Sequence, residues 1–117
     1  MAQVLALMDD LFFQSKVLET AKHVGVQVRT CTTAEALLQE IAKEAPKLVV
    51  VDLNAKSEPV KTIERVRKGS PDLPVIAFLS HVQTELAKQA HAAGASEVMP
   101  RSQFTHELAT ILGRAKS

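Results

Sequence analysis

The sequence has no tryptophan and no tyrosine, a single cysteine, four glycines and a formal net charge of only +1. Each scarcity excludes something. With four Phe as the whole aromatic complement, a stacking platform for single-stranded nucleic acid has too few rings. Fourteen Lys and Arg stand against thirteen Asp and Glu, so no bulk charge is available to hold a phosphate backbone or an anionic membrane surface. Cys31 has no partner for an internal disulfide, which fits a cytosolic compartment, and it reads as a small buried hydrophobe. No apolar run approaches the roughly 18 residues of a spanning helix. The opening MAQVLALMDD has no basic leader, and its apolar run is too short for a signal peptide. Neither a P-loop nor a G-x-G-x-x-G motif occurs, and the scattered His23, His81, His91 and His106 show no zinc-ligand spacing.

What is present is a well-supplied core. Hydrophobic residues make up 46% of the 117 positions, enough for one domain without disulfides or metals to staple it, and residues 1–117 read as a single unit. Short apolar runs alternate with amphipathic stretches. The strands read as Val4–Met8, Val26–Thr30, Leu48–Val51, Val75–Leu79 and a weak Glu97–Met99. Between them, Phe13, Val17, Leu18 and Ala21 recur at helical spacing up to Gly25. Thr32 and Glu35 form a T-x-x-E capping box for a helix that Ala45-Pro46 breaks. Val60, Ile63 and Val66 mark a third helix, Leu86 to Ala93 a fourth, and Phe104, Leu108, Ile111 and Leu112 one face of a last. Lys61, Arg65, Arg67 and Lys68 on the third helix, interleaved with Glu58 and Glu64, read as a solvated face.

Five strand–helix units predict a flavodoxin-like (βα)5 three-layer sandwich, with a parallel sheet in the order 2-1-3-4-5. The functional crevice of such a sheet lies at the carboxyl ends of its strands. There the sequence places Asp9 and Asp10 after the first strand, Asp52 after the third, Ser80 after the fourth and Arg101 after the fifth. A lone Asp at such a point is ordinarily a turn or cap residue. Three carboxylates converging with a hydroxyl and a guanidinium are a different matter. They repel one another unless a cation compensates, and a hard ion such as Mg²⁺ suits them.

At this point the chain resembles the receiver domains of bacterial two-component response regulators, of the CheY-like kind. The resemblance covers nearly the whole length and rests on VLALMDD, KLVVVDL, LPVIAFLS, AKQAHAAGASEVM and the basic residue after the fifth strand. It implies that Asp52 is a phosphoacceptor forming an acyl phosphate. It implies that Asp10 holds Mg²⁺ directly and Asp9 through water, with Asp52 and the main-chain carbonyl of Asn54 completing the protein ligands. Ser80 is then the hydroxyl that bonds the phosphoryl oxygen, and Arg101 stands for the family's basic residue. Implied partners are a sensor histidine kinase or phosphotransfer protein upstream and an effector or second copy downstream. The latter would dock on the face of the fourth helix, fifth strand and fifth helix, in the cytoplasm, with no direct contact to nucleic acid or membrane. Activity would be limited to self-phosphotransfer and autodephosphorylation.

The departures matter as much. The family's lysine-proline pair is Arg101-Ser102 here, and a planar, forked guanidinium is no conservative replacement for an ammonium. The loop after Asp52 reads LNAKSEPV, and Val98 stands where the family carries a switching Tyr or Phe. His81 follows Ser80 and would crowd the entrance to the acids. The alternative is therefore a pseudo-receiver, an interaction module that does not use phosphorylation. A flavin site is disfavoured because the first loop, DDLFFQS, would repel a phosphate. An aspartate-nucleophile hydrolase would need an acid at position 54, where Asn54 stands. Clustered acids also predict that Asp10→Asn relieves repulsion and stabilises the metal-free fold.

Overall fold

The computed structural model describes residues 2–80 and 83–116. In chain order the elements are β1 Val4–Leu7, α1 Leu11–Val24, β2 Val28–Cys31, α2 Ala34–Glu44, β3 Leu48–Asp52 and α3 Pro59–Gly69. They continue with β4 Val75–Leu79, α4 Thr84–Ala93, β5 Glu97–Pro100, α5 Arg101–His106 and α6 Leu108–Gly113. The strands form one parallel sheet in the order β2-β1-β3-β4-β5, as expected.

Side chains alternate across each strand, so the apolar runs feed two cores at once. On one face Val4, Ala6, Met8, Val50, Ile76 and Phe78 pack under α1, α5 and α6. On the other, Leu5, Leu7, Val49, Val51, Ala77 and Leu79 pack under α2, α3 and α4. Every residue of β3 and β4 is buried, which is why their sequences are apolar without alternation. Three of the four Phe meet on the first face. Phe78 stacks on Phe104 at 4.5 Å between centroids, and Phe13 tilts against them at 5.2 and 5.9 Å.

β1 ends one residue earlier than the sequence reading, and β3 and β5 one residue later; the larger differences lie in β2, α2 and the last helix. β2 begins and ends later than expected, running to Cys31, which leaves Thr32 in the turn and moves the cap of α2 to Thr33. Thr33 Oγ1 accepts from Ala36 N–H at 3.1 Å, and Glu35, now at the second helical position, cannot close a reciprocal box. Its carboxylate pairs with Arg65 instead, at 3.2 Å. The last helix is broken at Glu107, whose backbone leaves helical geometry (φ −99°, ψ 8°), giving α5 and α6.

At the amino-terminal edge of the sheet, Arg67 of α3 is not part of a solvated face. Its guanidinium donates to the Gly94 carbonyl at 3.0 and 2.7 Å, to those of Pro71 and Leu73 at 2.8 Å each, and to that of Ser70 at 3.1 Å. These carbonyls lie in the connections that lead into β4 and β5. Gly94 ends α4 at φ +119°, a conformation open to glycine. A Cβ there would also meet Arg67 Cγ at 2.8 Å.

Candidate functional site

The opposite edge carries the polar residues. Asp9 and Asp10 follow β1, Asp52 is the last residue of β3, Ser80 follows β4, and Arg101 opens α5 directly after β5. Because β1, β3, β4 and β5 are consecutive in the sheet, these five residues predicted for the site stand along one edge, and the sixth, Asn54, follows in the β3–α3 connection.

Asp52 is only 6% exposed. One carboxylate oxygen accepts from Asn54 N–H at 2.9 Å, and no protein donor among the described residues reaches the other. Burial pushes its pKa up. The Asn54 bond and the Arg101 charge oppose that rise, while Asp9 and Asp10 add to it.

Asp10 is in the reverse situation. Its Oδ2 pairs with Arg101 Nη2 at 2.8 Å, and its Oδ1 caps α1 by accepting from Phe13 N–H at 3.1 Å. Arg101 first and the Phe13 bond second hold its pKa below the ordinary aspartate range. This reverses the sign expected for Asp10→Asn. The carboxylate already has its counter-charge, so neutralising it removes an attraction rather than a repulsion. Asp9 Oδ2 accepts from Lys56 N–H at 3.0 Å and thereby ties the β1–α1 loop to the β3–α3 loop.

Ser80 makes no hydrogen bond to Asp52. Its backbone N–H at 2.7 Å and its hydroxyl at 2.8 Å both donate to Asn54 Oδ1, while Asn54 Nδ2 donates to Gln83 Oε1 at 3.0 Å. Two donors converging on one oxygen form a small cradle of the kind that stabilises developing negative charge, and the Asn54 side-chain oxygen fills it. Sequence reasoning assigned Asn54 only through its main-chain carbonyl and missed this side chain. The available signal was an amide two residues past a strand-terminal Asp, within reach of a hydroxyl on the adjacent strand.

Arg101 was also only partly foreseen. Its guanidinium carbon lies 4.2 Å from the centroid of Phe13 and 5.9 Å from that of Phe78, a cation–π contact made possible by the Phe cluster. Its Nε is buried without a hydrogen-bond partner among the described residues. Val98 is half-buried against the second core and presents no ring. His81, expected to crowd the entrance, lies outside the described residues. Cys31 is 5% exposed and its thiol pKa is pushed up by burial, the behaviour of an inert core residue. No helix among the described residues is long and apolar enough to cross a membrane.

A family model for the response regulator receiver domain matches residues 4–112. The chain belongs to that family. It is 30% identical over 115 residues to the DNA-binding transcriptional regulator NtrC of Rhizobium meliloti (strain 1021), an alignment covering 97% of this chain and 24% of that protein. The chain thus spans about a quarter of the length of this curated relative. Among solved structures it resembles the receiver domain of NtrX from Brucella abortus, with a TM-score of 0.82, 24% identity and 96% of both chains covered. It also resembles the chemotaxis response regulator CheY4 of Vibrio cholerae, with a TM-score of 0.82, 21% identity and 98% of both chains covered. These two likenesses concern the fold.

Receiver domains generally bind Mg²⁺ at the phosphorylation site, and the donors present fit such an ion in kind. They are hard carboxylate and carbonyl oxygens at the end of a buried strand. Asp9 and Asp52 each keep one oxygen that no described protein donor engages, whereas both oxygens of Asp10 are taken. Among the described residues, no group of three or more His, Cys, Asp or Glu is disposed to hold a metal as the side chains stand.

Proposed function

We propose that this receiver domain accepts a phosphoryl group on Asp52 and signals by protein–protein contact. The observation that supports this most is the Asp52 carboxylate itself, buried at the end of the central strand with one oxygen oriented by Asn54 N–H and the other unengaged by any described protein donor. In the proposed step that oxygen attacks phosphorus in line. An O–P bond forms to give an acyl phosphate, and the bond to the donor's leaving group breaks. The Ser80 N–H and hydroxyl would turn from Asn54 Oδ1 to a phosphoryl oxygen, and Arg101 supplies positive charge beside it. Asp9, Asp10, Asp52 and the Asn54 carbonyl would hold Mg²⁺, which when bound offsets charge on the phosphoryl oxygens. Chemistry is confined to this self-transfer and to autodephosphorylation.

The donor is a sensor histidine kinase or a phosphotransfer protein in the cytoplasm. Output passes to an effector or a second copy across the face of α4, β5 and α5, without direct contact to nucleic acid or membrane, and residues 1–117 act as one unit. Val98 offers no ring to change place when Ser80 moves, so the two states of that face differ little. Partner affinity should change less than about tenfold on phosphorylation, or roughly 1.4 kcal/mol of coupling.

Incubation with a small acyl phosphate and Mg²⁺ tests the reading by intact mass. A gain of one phosphoryl group, absent in Asp52→Asn, is expected. A gain that survives in Asp52→Asn would move the acceptor elsewhere. No gain under any donor would favour the second reading, a pseudo-receiver. The Ser80–Asn54 and Asp10–Arg101 contacts speak for that reading, because both phosphoryl-site donors already have internal acceptors.

A further inference from the structure

We propose that Arg101 is a resident cation of the acidic edge, which must leave Asp10 before a divalent metal can take that carboxylate. This rests on the metal-assisted phosphoacceptor reading above and specifies how this chain regulates it.

The argument begins with the oxygens of Asp10. Oδ1 is committed to Phe13 N–H at 3.1 Å, and surrendering it would uncap α1. The oxygen open to a metal is therefore Oδ2, which Arg101 Nη2 holds at 2.8 Å. Mg²⁺ is small and demands near-octahedral oxygen geometry. A guanidinium and a dication on one carboxylate oxygen repel each other. The two cations are thus alternatives at this atom.

The structure also shows why Arg101 rests there and why it can leave. The guanidinium carbon sits over Phe13, 4.2 Å from the ring centroid, a contact that suits a planar guanidinium better than a compact, strongly hydrated ammonium. It is tethered at the first residue of α5, so its local concentration at Asp10 is permanent. Yet among the described residues it is held by a single ion pair, to a carboxylate 37% exposed, and its own side chain is 30% exposed. Its Nε satisfies nothing where it lies. Partly exposed pairs are weak, so Arg101 biases the site rather than blocking it. Apparent metal affinity then falls in proportion to the fraction of molecules in which Asp10 is free. If Asp10 is free in about one molecule in ten, the loss is about tenfold.

The experiment is an NMR titration of the described chain with Mg²⁺ alone, for wild type, Arg101→Met and Arg101→Lys. It follows the amides of Phe13 and Asn54, which are bonded to Asp10 and Asp52, and in wild type the Arg101 Nε–H resonance. Arg101→Met should bind Mg²⁺ about tenfold more tightly than wild type, with Arg101→Lys between them. The Nε–H signal should shift in step with the metal-sensitive amides. Arg101→Lys and the Nε–H signal carry the test if Arg101→Met fails to fold. Equal affinities with an unmoved Nε–H signal would overturn the proposal and leave the metal reading standing. Absence of Mg²⁺ binding in all three proteins would overturn both.

Discussion

Two arginines occupy opposite edges of the same sheet, and their surroundings differ in a way that separates fold from function. Arg67 spends its guanidinium on four backbone carbonyls in the connections entering β4 and β5. Those acceptors are neutral and fixed by the chain, and the Ser70 carbonyl also accepts from Leu73 N–H at 3.3 Å. Among the described residues Arg101 makes one hydrogen bond, to a charged and partly exposed side chain, and leaves Nε unpartnered. A cation surrounded by main chain is a clasp. A cation on one partly exposed carboxylate is a part that can be moved.

The largest effect should follow from breaking the clasp. Arg67→Ala strands several carbonyls at once and should destabilise the fold by about 3 kcal/mol, measured by urea denaturation. Gly94→Ala should also be damaging, by about 2 kcal/mol, through the left-handed backbone and the 2.8 Å approach to Arg67 Cγ. Arg67→Ala removes the approaches of Cγ and Nε at 2.8 and 3.0 Å but keeps Cβ at 2.9 Å, so the steric part is only partly relieved and the double variant should lose somewhat less than the two separate losses together. A loss below about 1 kcal/mol for Arg67→Ala would put this residue back on the solvated face that its neighbours suggest.

That face illustrates where sequence reading succeeds and stops. Sheet order, strand positions and the edge carrying Asp9, Asp10, Asp52, Ser80 and Arg101 follow from apolar runs in alternation with helices, a pattern set by burial. Contacts between side chains far apart in sequence do not follow. Asp10 and Arg101 are 91 positions apart, and nothing in composition says which carboxylate a guanidinium selects. Arg67 did leave a trace, since it lies four residues after the buried Ile63 and so on the flank of the buried stripe, but its acidic and basic neighbours mask it. The one-residue shift of the α2 cap from Thr32 to Thr33 has the same character. Two adjacent threonines are equivalent in sequence, and the end of β2 chooses between them.

A mid-sized effect of opposite sign is expected at Asp52. Its folded pKa is raised by burial, so ionisation of this group works against folding. That penalty is complete above the folded pKa and disappears as pH falls through it toward the ordinary value of 3.8. Asp52→Asn should therefore stabilise the fold near neutrality, on the order of 1 kcal/mol, and the gain should shrink to nothing near pH 4. Destabilisation at neutral pH would mean that the pull of Arg101 on this carboxylate outweighs its burial.

The smallest effects belong to the movable arginine, and they complete the contrast with Arg67. Arg101→Met should lower stability at neutral pH by roughly a third of the Arg67→Ala loss or less, since a partly exposed pair is lost and a buried Nε no longer goes unsatisfied. The pH dependence divides that loss between its two sources. Asp10 has a folded pKa below the ordinary 3.8, so the ion pair contributes in full above that value and is lost as pH falls through the lower folded one. The Phe13 contact does not titrate. The gap in melting temperature between wild type and Arg101→Met should hold from neutrality to about pH 4 and then narrow. Added salt at neutral pH should narrow it as well, because a pair this exposed is screened. Because Arg101 also draws the Asp52 pKa down, both proteins are compared in an Asp52→Asn background, which isolates the contribution of Asp10. A gap unchanged by acid and by salt would show that Arg101 is held by the ring rather than by Asp10, and it would then have little reason to yield to a metal.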